Sequence, residues 1–406
     1  MNLRRIRSDF PALQARYGRQ RLAYLDSACM SLTPRPVLAA MEEYYTEFPG
    51  CAGRSRHRFS AMTSERVDAA RVAFGRWFGA PDPSQVVFLR NATEAINLIA
   101  RGYPWRRGDR VLVTDQEHNS NLIVWQRLAS EGKIRLDRWT LPDEGGFDLD
   151  GFTAAVEHRR PRLISFFHTS NMDGRSLPVK AICEIARDRG VDTLWDGCQA
   201  APHEPVDLRR LGATYYAVSA HKMLGPTGVG VLLSAPGSLD RIQPLNVGGE
   251  TVEWSTDREH RLRVPPFRFE AGLQNYAGIL GAHAGLKYLG GVGLETIRDH
   301  QKALNETVTR RFAEEPRVTI LGPPRARDRP SIVGFTLRGV DPHDAAVFLD
   351  EGHGVLVRSG QHCVHSWYAR HHIPGSIRAS FYLYTSPGDI GRLLRGVREL
   401  LERVPG

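Results

Sequence analysis

The chain is poor in lysine: of 54 lysines and arginines in 406 residues, only Lys133, Lys180, Lys222, Lys287 and Lys302 are lysine. Imine formation is one task that arginine cannot take over, because it needs an amine able to lose its proton. Cysteine is scarce too. Cys29, Cys51, Cys183, Cys198 and Cys363 are odd in number and widely spaced, which argues against a disulfide framework and leaves at least one thiol open to chemistry. No apolar run is long enough to cross a bilayer, so no membrane partner is expected. The first residues carry scattered charge without the apolar segment of a secretory signal, and a cytoplasmic location is expected. The net charge of +9 is spread along the chain rather than gathered into a stripe, so no nucleic-acid partner is expected either.

What is present is the composition of a globular enzyme, 41% hydrophobic and 24% charged, in a chain long enough for two or three domains. Short apolar runs at 86–89, 111–114, 163–170, 193–196, 215–220 and 229–234 alternate with amphipathic stretches such as 179–190. This pattern predicts βα units and a doubly wound, mostly parallel sheet. Residues 237–275 are rich in Gly, Pro and Arg and predict a loop-rich connection. Beyond them, helices at 277–291, 295–313, 341–352 and 387–403 and strands at 331–339, near 354–358 and at 377–384 predict a smaller α/β unit. The expected division is an N-terminal arm at 1–20, a large domain at 21–275 and a small C-terminal domain at 276–406.

Ligands in open α/β sheets bind beyond the carboxyl ends of the strands. There this chain places Asn91-Ala92-Thr93-Glu94, a capping-box signature whose amides and hydroxyl suit a phosphate. Glu117-His118, Asn171, Asp196, Gln199 and Ser219-Ala220-His221-Lys222 follow the other runs. Singly, most of these read as caps or surface residues; Asp196, an acid closing the apolar run TLWD, is the exception. Together they match the needs of pyridoxal phosphate, in which a lysine forms the imine and a carboxylate holds the pyridine nitrogen protonated. Lys222 and Asp196 suit those roles. His118, Gln199, Ser219, His221 and Thr93 are candidates for the ring, its phenolic oxygen and its phosphate.

The segments YLDSAC (24–29), NATEAINL (91–98), EHNSNLIVWQ (117–126), DGCQAAPHEPVDL (196–208), SAHKMLGPTGVGVL (219–232) and FEAG (269–272) resemble the class V aminotransferase superfamily, most closely its group II cysteine desulfurases. The resemblance runs from about residue 20 to 400 and implies the pyridoxal-phosphate-dependent transferase fold. It implies Lys222 as cofactor lysine, Asp196 and Gln199 at the ring, and His118 stacked on it. Ala92, Thr93, Ser219 and His221 fall at the phosphate. Arg378, Asn171 and Arg358 fall at the substrate, where a planar guanidinium suits a carboxylate. Arg358-Ser359-Gly360-Gln361-His362-Cys363 is similar to the family's loop bearing a catalytic cysteine, which makes Cys363 the nucleophile. Its polar setting, with Arg358, Gln361, His362 and His365 nearby, suits a reactive thiol better than a structural one. His362, Cys363, His365, His371 and His372 fit no standard zinc spacing, so no metal is expected.

The implied reaction converts L-cysteine to L-alanine. Lys222 removes the α-proton, Cys363 takes the sulfur as a persulfide, and the sulfur passes to an acceptor protein or a small thiol. The family is dimeric, so a homodimer is implied. Alternatives are a C–S β-lyase, an aminotransferase or epimerase that never uses Cys363, and a non-catalytic binding protein. Departures from the family's pattern include Leu273 in place of a threonine that reaches the partner's phosphate, Gln361 in place of a histidine, and Ser27 and Cys29 in the N-terminal segment. Arg54 and His57 fit the family's R-G-x-H segment.

Overall fold

The computed structural model describes residues 1–17 and 20–404. Residues 18–19 of the expected arm and 405–406 of the expected small domain lie outside the described residues. Seven strands form the main sheet: β1 (Val86–Leu89), β2 (Arg110–Thr114), β3 (Arg135–Trp139), β4 (Leu163–Phe167), β5 (Asp192–Asp196), β6 (Tyr215–Ser219) and β7 (Gly230–Ser234). Their order across the sheet is β1-β7-β6-β5-β4-β2-β3. β2 to β6 run parallel, and β7 lies antiparallel to both β1 and β6. β4, β6 and β7 are buried along their whole length, which is why they read as unbroken apolar runs. β3 is the one strand of this sheet without such a run. It lies at an edge with its residues only partly covered, and its sequence RLDRW is charged accordingly.

Helices cover both faces. Ala92–Gly102 and Asn119–Ser130 pack over one face through Ile96, Ile99, Leu122 and Trp125. Arg58–Trp77, Val179–Arg187 and Tyr276–Val292 bury Phe74, Ile182 and Leu286 against the other. The helix Tyr276–Val292 thus shares the core of the main sheet although it opens the C-terminal stretch of the sequence.

A second sheet is built from β8 (Val318–Ile320), β9 (Ile332–Leu337), β10 (Arg358–Gly360) and β11 (Ser376–Ser380), antiparallel in the order β8-β9-β11-β10. Leu294–Ala313, Pro342–His353 and Pro387–Arg403 close its core with Val308, Leu349 and Leu393. The last of these helices starts on a capping box between Ser386 and Asp389. The N-terminal segment is stitched into this second body. Ala23–Tyr24 pairs in parallel with Val355–Leu356, and Ser380 N donates to Leu25 O at 2.7 Å. That pairing carries residues 26–29 to the seam between the two sheets. The region 237–275 is looped as expected but also holds a small hairpin, Val252–Ser255 with His260–Leu262. No helix among the described residues is long and apolar enough to cross a membrane.

Candidate active site

The carboxyl ends of β4, β5 and β6 open on a cleft of about 220 Å³, walled on its other side by the second sheet and the Cys363 loop. The twelve residues to which the sequence resemblance gave cofactor, substrate or catalytic roles line it: Ala92, Thr93, His118, Asn171, Asp196, Gln199, Ser219, His221, Lys222, Arg358, Cys363 and Arg378. They come from segments nearly 290 positions apart, gathered because parallel strands deliver their ends to one edge.

Asp196 ends β5 and is buried, and its Oδ1 accepts from the Cys198 amide at 3.0 Å. Gln199 is buried beside it. Its Nε2 donates to Ala28 O at 2.6 Å, whereas its Oε1 has no hydrogen-bond partner among the described residues. A buried amide oxygen without a donor is costly unless a ligand supplies one. Lys222 stands in the single turn Ala220–Lys222 that leaves β6.

His118 is the N-cap of Asn119–Ser130. Its Nδ1 accepts from the Ser120 amide at 3.1 Å, which fixes the ring. Burial, reinforced by the nearby Lys222 charge, pushes its pKa down to about 4, so the ring is neutral at pH 7. Beneath it Glu117 is fully buried. It accepts from Thr114 Oγ1, Asn121 Nδ2 and the Phe167 amide, and burial raises its carboxyl to about 8.

The mouth of helix Ala92–Gly102 gathers hydroxyls. Thr93 Oγ1 lies 2.7 Å from Ser120 Oγ, and the Ala92 amide donates to Ser219 Oγ at 2.9 Å. Asn91 caps the helix by accepting from the Glu94 amide at 2.9 Å. Glu94 does not close the expected capping box on Asn91. Its Oε2 reaches one residue further, to the Arg90 amide at 2.7 Å, where the arginine side chain also meets it. His221 flanks this corner with its pKa lowered to about 4 by burial and by Lys222.

Arg378, from β11, is buried. Nη1 donates to Asn171 O at 2.8 Å and Nη2 pairs with Asp26 Oδ1 at 3.0 Å, while Nε lacks a partner among the described residues. Asn171 turns its Nδ2 to His362 O at 2.7 Å, so its amide braces the Cys363 loop. That loop is tightly wound: His362 and Cys363 both lie in the left-handed region, at φ 48° and 59°. Non-glycine residues there cost on the order of 1 kcal/mol each and persist only where neighbours hold them. The holders are Asn171, the Asn119 amide donating to Cys363 O at 2.7 Å, and Ser376 Oγ at 2.9 Å from His362 Nε2. Gln361, which departs from the family's pattern, clamps the loop from outside by donating to Pro374 O at 3.2 Å.

Asp26, Cys29, Ser120 and His362 also belong to this site, without a role assigned to them from the sequence. Asp26 and Cys29 lie in the motif YLDSAC, and their role becomes visible only when that segment pairs with the far end of the chain.

The model of the family described as aminotransferase class-V matches residues 23–393. A probable cysteine desulfurase of Streptomyces coelicolor is 36% identical over 403 residues, covering 97% of this chain and 96% of that protein. Among solved structures, the apo cysteine desulfurase of Thermococcus onnurineus NA1 is 33% identical with a TM-score of 0.93, over 98% of each chain. A cysteine desulfurase of Escherichia coli, 29% identical, superposes over the whole of both chains with a TM-score of 0.91. With a fold, a strand-end cleft and a family model that agree across nearly its whole length, this chain belongs to the class-V aminotransferase family.

Proposed function

We propose that this protein is a pyridoxal-phosphate-dependent cysteine desulfurase, with Cys363 as the thiol that receives the substrate's sulfur. The observation that carries the reading is the placement of Cys363 on a braced, left-handed loop in the same cleft as Lys222 and Asp196. The names borne by the full-length relatives support it.

The residues present fit the cofactor. Lys222 would carry it, Asp196 would meet its ring nitrogen, and the buried Gln199 side chain would lie beside its ring. A neutral His118 ring would stack without repelling a cationic pyridine. The Thr93 and Ser219 hydroxyls and the helix mouth at Ala92 would hold its phosphate. When bound, the cofactor supplies an electron sink for the substrate's α-carbon. Arg378, through its unpartnered Nε, and Arg358 would bind the substrate carboxylate and orient the amino acid. Lys222 Nζ then takes the α-proton. Cys363 Sγ attacks the substrate sulfur, the C–S bond breaks, and the β-carbon gains a proton to become the methyl group of alanine. Sulfur stays on Cys363 as a persulfide until a protein or small-molecule thiol removes it.

We also read the working protein as a homodimer. Val247 and Leu273, 64% and 62% exposed, sit on neighbouring loops joined by the Gly272 amide donating to Gly249 O at 2.7 Å. Apolar side chains left in water side by side suit a protein contact.

The test is to incubate the holoenzyme with L-cysteine and a thiol reductant, measuring alanine, pyruvate and sulfide for the native protein and for Cys363→Ala. Alanine equal to sulfide, lost in the variant, is expected. Pyruvate in place of alanine, or activity indifferent to Cys363, would overturn the reading in favour of a C–S lyase.

A further inference from the structure

We propose that Cys29 is a second sulfur carrier inside the active-site cleft, taking the sulfur from the Cys363 persulfide before it leaves the protein. This rests on the desulfurase reading above.

Of the five cysteines, Cys29 and Cys363 alone are both partly exposed and on the wall of the cleft. Cys198 also lines it, but its thiol is buried against Ser219 Oγ at 3.7 Å, and burial pushes it up to about 12. Cys183 is buried in the core, its thiol pushed up to about 11, and Cys51 lies outside the cleft wall. Burial thus sets two thiols aside and position a third.

Cys29 is also held in place. The segment before it is pinned by the Ala28 amide donating to Ser380 Oγ at 2.9 Å and by Gln199 on Ala28 O. Arg358 Nη1 points at Cys29 Sγ at 3.0 Å. Arg358 begins β10, the strand that runs directly into the Cys363 loop, so one guanidinium links the two thiol-bearing segments. A terminal persulfide sulfur is readily anionic, and a permanently charged guanidinium with several fixed donors is the side chain suited to hold it.

The step is a thiol exchange that balances without an oxidant. The Cys29 sulfur attacks the terminal sulfur of the Cys363 persulfide and the Cys363 sulfur leaves. The proton lost from Cys29 is taken up by Cys363, giving a Cys29 persulfide and a free Cys363 ready for the next substrate. An outside acceptor would then draw sulfur from Cys29 while Cys363 is already at work again.

The holoenzyme should be mixed with equimolar L-cysteine in the absence of acceptor, quenched with an alkylating agent at intervals, digested, and mapped by mass spectrometry for added sulfur. Alanine should form with sulfur first on Cys363 and later on Cys29. In Cys363→Ala protein Cys29 should gain none, and in Cys29→Ser protein sulfur should remain on Cys363. Alanine formed with sulfur found only on Cys363 throughout would overturn the relay and leave the desulfurase reading standing. Cys29 sulfur acquired in Cys363→Ala protein would also overturn it, because the sulfur would then bypass the proposed donor. No alanine from the native protein would remove the desulfurase reading itself, and the relay with it.

Discussion

Replacing Arg378 by lysine keeps a positive charge in the cleft but removes the planar fork. In the native structure Nη1 donates to Asn171 O and Nη2 pairs with Asp26, while Nε has no partner among the described residues; the desulfurase reading assigns that free donor to the substrate carboxylate. A lysine ammonium is a point donor on a flexible stem and cannot serve Asp26, Asn171 and substrate at once in that geometry. Losing one hydrogen bond to a charged group costs about 1.5–3 kcal/mol. At 1.4 kcal/mol per factor of ten, that predicts a roughly 10- to 100-fold fall in kcat/KM for L-cysteine, carried mainly by KM. The assay is steady-state alanine production across L-cysteine concentration. Asp26→Asn is the control, since it leaves the guanidinium in place with a neutral acceptor at Nη2, and its loss should stay below about tenfold. Arg378→Lys within about twofold of native, or equal losses in both variants, would show that Arg378 serves only to hold Asp26 and would refute the reasoning.

Two further outcomes concern stability. His168 is buried with Nδ1 2.7 Å from Tyr216 Oη, and burial lowers its pKa from near 6.5 to about 4, so its 3.5 Å contact with Glu204 involves a neutral ring at pH 7. The unfolded chain takes up this proton below about 6.5 while the folded protein resists until about 4. The stabilisation is therefore complete above the first value and is lost as pH falls toward the second. Denaturant unfolding at pH 7 and pH 5 should show a loss of about 2 kcal/mol that is missing in His168→Asn; an equal loss in the variant would sink the assignment. Arg71 and Glu270 form a buried two-bond ion pair at 2.6 and 2.8 Å, which also takes in Val86 O and the Phe88 amide. Arg71→Met should cost about 3–5 kcal/mol by stranding the carboxylate, and Arg71→Met with Glu270→Leu should recover part of it. A single-variant cost under about 1 kcal/mol would mean that water reaches the pair.

The sequence by itself marked the residues of the cleft and most of the sheet. A lysine kept where arginine prevails, an acid ending an apolar run and polar residues after successive strands marked Lys222, Asp196, Ser219 and His118, because strand-end positions are local facts of the chain. The buried strands were legible because burial on both faces demands unbroken apolar runs, and β3 escaped because an edge strand makes no such demand. Only the tertiary structure decided which distant segments share the cleft. Pairing of Ala23–Tyr24 with Val355–Leu356 brings Asp26 to Arg378 and Cys29 to Arg358, contacts spanning more than 300 positions that no local pattern encodes. It likewise decided that Asn171 braces the Cys363 loop and that Glu94 caps past its expected partner. Those choices follow from where packed elements leave donors and acceptors facing one another, which is settled only when the two sheets have closed on each other.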